Sequence, residues 1–162
     1  MVTHAAAAVQ VDRSLSAAYE MLIANLDVVL RTNEPISPDD IAIRLLDEPF
    51  HDIALALSDL IAEMSSNDDS REPDEVEQLR IIADAHVVGA LGNAEQDLWE
   101  AFDDLLSQEP LPDPQAAAAP VRSAMTSLRA AVIRVLADMP PPTPAYDEDD
   151  AAANRPTNRR RR

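Results

Sequence analysis

Carboxylates are the most abundant chemistry-bearing groups in this sequence, and five of them, Glu95, Asp97, Glu100, Asp103 and Asp104, crowd a single short stretch. Carboxylates so close together can share a proton or ligate a hard cation. A cation site draws its oxygens from a loop with a turn glycine, and the only glycines, Gly89 and Gly92, both precede this stretch. The five acids therefore read as a solvated helical face. Glu48 and His51 have the Glu-x-x-His spacing of metal ligands on a helix, but Pro49 stands between them and no second pair follows. There is no cysteine to act as a nucleophile, and the three histidines, His4, His51 and His86, offer little general-base capacity. Two glycines cannot make a phosphate-cradling loop, a dinucleotide fingerprint or a nucleophile elbow. The residues predict a protein that is not an enzyme and has no metal and no cofactor.

Charge carries more information than any motif. The chain has 162 residues, 30 acids, 13 arginines, no lysine and a formal net charge of −17. Residues 1–114 hold 25 acids and five arginines, whereas residues 115–162 hold eight arginines and five acids. An acidic body with a mildly basic C-terminal segment repels nucleic acid and anionic lipid and attracts cationic surfaces. Codon usage rich in G and C accounts for arginine, alanine and proline at the expense of lysine. No positively charged start precedes the alanine run near the N-terminus, and no apolar run is long enough to span a bilayer. With cysteine absent, this composition predicts a cytoplasmic protein.

The elements that must hold these residues are helices. Scarce glycine and aromatic residues, with apolar residues at three- and four-residue intervals, predict an all-α fold, a compact bundle of five to six helices spanning residues 11–139. Residues 1–10 are predicted flexible. A first helix over 11–31 carries Leu15, Tyr19, Leu22, Leu26 and Val29. Ser37 caps a short second helix, residues 38–46, with Pro38 at its first position and Ile41 and Leu45 inward. Asp47-Glu48-Pro49 predicts a turn. A third helix over 50–64 follows, with Phe50, Ile53, Leu57, Leu60 and Met64 on one stripe. Residues 65–72 form a polar connector, the best hinge. A fourth helix, 73–91, is predicted to bury Val76, Leu79, Ile82, Ala83 and His86 and to end at Gly92. Asn93 and Gln96 then start a fifth, to about Gln108, with Leu98, Phe102 and Leu105 inward and Trp99 at the edge. A stiff Pro-rich linker, 109–114, leads to the last helix, 120–139. There Val121, Met125, Leu128, Val132, Val135 and Met139 repeat without a miss. Residues 140–162 are proline-rich, then acidic, then basic, and predict a disordered C-terminal tail ending in Arg159–Arg162.

The segment Ile36 to Met64, taken with the first helix, has the outline of a helix-turn-helix and resembles the three-helix core of winged-helix regulators. That resemblance implies DNA reading by the third helix. In this sequence the reading helix would present His51, Asp52, Asp59 and Glu63. No arginine lies between Arg44 and Arg71, a span that holds seven acids, and these repel phosphate.

Three functions follow in order of preference. The first is a non-catalytic acidic interaction module, an adaptor, inhibitor or assembly factor, binding a protein partner with a basic surface. The second is a helix-turn-helix DNA-binding regulator, and the third an acidic mimic of DNA. The candidate partner-binding residues are Trp99 as an apolar anchor, Asp97, Glu100, Asp103 and Asp104 as the acidic face, and Arg122 and Arg129 on the flank of the last helix. That helix is expected to fold back on the body. Its alternative is to join a second copy in a homo-oligomer.

Overall fold

A computed structural model describes residues 4–32, 36–65, 71–109 and 111–139, and all regular structure among them is helical. The elements are α1 (His4–Thr32), α2 (Pro38–Ile41), a π-helical turn (Ala42–Leu46), α3 (Asp47–Ser65), α4 (Pro73–Leu106) and α5 (Pro114–Ala137). Because α2, the π-turn and α3 run on without a break, the described residues form four helical rods, not five to six helices. α5 packs on both α1 and α4, and α3 packs on both α1 and α4, so the rods close a ring around one apolar core. The tail from residue 140 and most of the connector after Ser65 lie outside the described residues.

Two helix stops predicted from sequence are absent, each for a physical reason. Pro49 lacks the N–H that would bond the Leu45 carbonyl four residues back, so an ordinary helix should break there. Here the backbone shifts into π register just upstream, with the Asp47 N–H donating to the Ala42 carbonyl. Asn25 of α1 then donates its side-chain amide to the Leu45 carbonyl at 3.3 Å. The proline ring, itself buried, stays inside the rod. The turn that would separate the two helices of a helix-turn-helix is therefore not formed. Gly92 likewise sits inside α4 rather than ending it. One interior glycine costs about 1 kcal/mol relative to alanine, which burial of Leu91, Ala94, Leu98 and Phe102 on the same helix exceeds.

Helix starts also move. α1 begins at His4, not Val11, because Ala7 and Val11 are both fully buried. The His4 ring reaches across to the end of α5, with Nε2 2.5 Å from the Met139 carbonyl oxygen. α5 begins at Pro114, six residues before Pro120. Asp113 caps it by accepting the Gln115 N–H at 2.7 Å, and Ala117 and Ala118 are buried. Ser37 caps α2 as predicted, accepting the Asp40 N–H at 3.3 Å.

The predicted stripes of α1, α3 and α5 face the core. Leu22, Leu26, Ile53, Leu57, Val121 and Leu128 are all buried, while Tyr19 and Val135 pack partly buried at the rim. On α4 the inward face is rotated from the predicted one: it keeps Ala83, Leu98 and Phe102 and adds Val87, Leu91 and Ala94. Ala94 lies beside Ala124 and Leu128 of α5, whereas Ala83 lies beside Val135 and Met139. That rotation leaves Ile82 and His86 exposed rather than buried, and Val76 and Leu79 only half-buried.

Candidate functional site

The long helix α4 positions most of the chemistry. Asp97, Glu100 and Asp104 recur at three- and four-residue intervals on one exposed face. Asp103 is half-buried on the neighbouring strip, one turn after Trp99. Trp99 lies at the core's edge and donates its indole N–H to the Pro38 carbonyl at 3.1 Å, tying α4 to the start of α2. Glu100 accepts a hydrogen bond from the Gln96 amide at 3.1 Å. Among the described residues no arginine comes within ion-pairing distance of Asp97, Glu100, Asp103 or Asp104.

Arg122 and Arg129 are not brought to that face. They project from α5 toward α1, where Arg122 donates to the Tyr19 hydroxyl at 3.3 Å and Arg129 forms a two-pronged pair with Asp12. The hydrogen bonds from Arg129 hold the Asp12 carboxyl below its ordinary value, outweighing a small opposing effect of burial. The apolar seam of α5 is covered by α1 and α4 of the same chain. Asp97 lines a separate notch between α4 and α5, beside Ala124, Ser127 and Leu128.

A feature unmarked in the sequence lies on the other side of α4. The π-turn and the start of α3 stand off from the middle of α4, leaving an open groove of about 760 Å³. Its lining is largely apolar, with Phe50, Ala54, Leu91 and Gly92 joined by Ile43 and Val88, which are 66% and 67% exposed. Asp47, Glu48, His51 and Glu95 complete it. Burial, and secondarily the charge of Asp47, push the Glu95 carboxyl above its ordinary value. No signal of residue type pointed to this groove, because Asp47-Glu48-Pro49 reads as a turn and Gly92 as a helix end.

The Glu95 shift makes a stability prediction of definite sign. An acid whose folded-state value is raised destabilises the fold when ionised, and the penalty disappears as pH falls and the carboxyl takes up its proton. Glu95→Gln should therefore raise the urea midpoint at neutral pH. The gain should vanish at about pH 3, below the ordinary glutamate value. An equal gain at both pH values would show that the carboxyl is fully solvated. Asp12 has the opposite sign: its pairing contributes above the ordinary aspartate range and is lost as pH falls.

Among the described residues no three His, Asp or Glu side chains gather as a metal site, and no helix is long and apolar enough to cross a membrane. Compared with models of protein families, with curated proteins and with solved structures, the chain matches none.

Proposed function

We propose that this protein is a non-catalytic interaction module, an adaptor, inhibitor or assembly factor, whose acidic surface binds a basic surface on a partner protein. The observation that carries this reading is the exposed face of Asp97, Glu100 and Asp104, three carboxylates with no arginine in reach among the described residues, on a body with a large excess of acids. Unneutralised like charge destabilises a fold slightly and is useful when an oppositely charged surface arrives. Complementary charge speeds encounter and rejects wrong partners, and an aromatic side chain at the edge of such a face, here Trp99, supplies contact area. The setting in this reading is the cytoplasm.

The test uses the full chain as bait and compares it with D97N/E100Q/D104N. The captured partner should be basic. Its association rate with the variant should fall by about tenfold at low salt, with the difference fading as salt is raised. A partner held equally by both baits in strong salt would overturn the reading. So would a mobility shift of duplex DNA by the purified chain at low salt, which would favour a nucleic-acid regulator instead.

A further inference from the structure

We propose that the groove between the α2–α3 rod and α4 receives a cationic amphipathic helix of a partner protein, its apolar stripe seated on Phe50, Val88 and Gly92 and its arginines or lysines on Asp47, Glu48 and Glu95. This rests on the acidic-module reading above and adds to it a second contact surface, on the other side of α4 from Asp97, Glu100 and Asp104.

α4 carries two apolar stripes. One is spent on the core. The other, Ile81, Ala85, Val88 and Gly92, recurs at 4-3-4 spacing on the exposed side. A helix that serves only one core has no need of a second stripe, and isoleucine and valine left half or more exposed on it are surface awaiting cover. Ile43 stands across the groove from Val88, so both walls are apolar and open. The floor admits close approach, because a Cβ built on Gly92 meets nothing within 4 Å. A trough between two helices, with apolar positions one turn apart along its wall, is the shape that an amphipathic helix fills.

Charge decides which helix. Asp47, Glu48 and Glu95 surround the apolar lining, and no arginine lies among the described residues that line the groove. A second copy of this chain, itself at −17, would set carboxylate against carboxylate if two grooves met face to face. A helix with cations flanking its stripe would instead neutralise all three acids. It would also relieve the repulsion between Asp47 and Glu95.

The experiment titrates the full chain into two fluorescent peptides of identical composition. In one, leucines recur at helical intervals between flanking arginines, and in the other the order is scrambled. The patterned peptide should bind about tenfold tighter than the scrambled one, a ratio typical of a few seated apolar anchors. Gly92→Leu fills the groove from the open floor without touching the core, and Val88→Asn replaces an apolar side chain on its wall with a neutral polar one. Each variant should abolish the preference while leaving scrambled-peptide binding unchanged. Equal binding of the two peptides to the wild-type chain, weakened by salt, would overturn the groove and leave the acidic-module reading intact. Binding of neither would overturn both. A solution dimer that dissolves in both variants would reassign the groove to a second copy. A tenfold gain in affinity on R159A/R160A/R161A/R162A would reassign it to the chain's own arginine-rich end.

Discussion

Phe102→Ala should cost about 3–5 kcal/mol of folding stability, the range for deleting a buried aromatic ring. Phe102 is fully buried and is the largest side chain so placed among the described residues. It lies near the end of α4, where Leu98 one turn earlier is also buried. The structure around such a site relaxes only partly, so the loss combines transfer of the ring to water with the cavity left behind. Domains of this size have about 5–15 kcal/mol in total, so the variant should remain folded but with a much lower urea midpoint, followed by helical ellipticity. Val88→Ala, at an exposed site on the same helix, is the control and should fall within about 0.5 kcal/mol of the parent. A Phe102→Ala cost below about 1 kcal/mol would mean that the C-terminal half of α4 does not pack as described.

Pro120→Ala should act in the opposite direction and stabilise the chain by about 2 kcal/mol. Pro120 lies inside α5, well past the capped start at Pro114. There it has no N–H for the Ala116 carbonyl and its ring crowds the preceding turn, a combined cost of about 3 kcal/mol in a helix interior. Alanine recovers most of this. It returns some freedom to the unfolded chain, which offsets about 0.4–1 kcal/mol. Pro49→Ala provides the contrast. At that position the π-turn and the Asn25 amide already accommodate the missing donor, so no comparable gain should appear. If both substitutions raise the midpoint equally, the π-turn does not relieve Pro49.

These two prolines also show where the sequence could be read and where it could not. Apolar residues at helical intervals announced the inward faces of α1, α3 and α5, because leucine, valine and isoleucine dominate those stripes. On α4 the expected inward positions hold at Ala83, Leu98 and Phe102 and fail at Ile82 and His86, because the helix runs on through Gly92 as one rod whose stripe passes through Val87, Leu91 and Ala94. Ile82 and His86 lie beside that stripe, on the exposed side. Pro49 and Gly92 carried the expected local preference for a stop, yet tertiary contacts from α1 and the core overrode it. Of the candidate site, the acidic face followed directly from composition. The groove did not, since its walls come from residues far apart in the chain, and one wall includes a π-turn that leaves no signature in residue type. Arg122 and Arg129 were rightly placed on the flank of the last helix. Their partners Tyr19 and Asp12 could be found only once α1 and α5 were side by side.

The His4–Met139 contact joins the first turn of α1 to the turn that follows α5. The route by which the polypeptide visits the four rods is thus nearly cyclic. A rearranged gene encoding α4 and α5 first, followed by a short spacer and then α1 through α3, should specify the same packing. Its new termini would fall at Arg71–Glu72, just ahead of the first residue of α4.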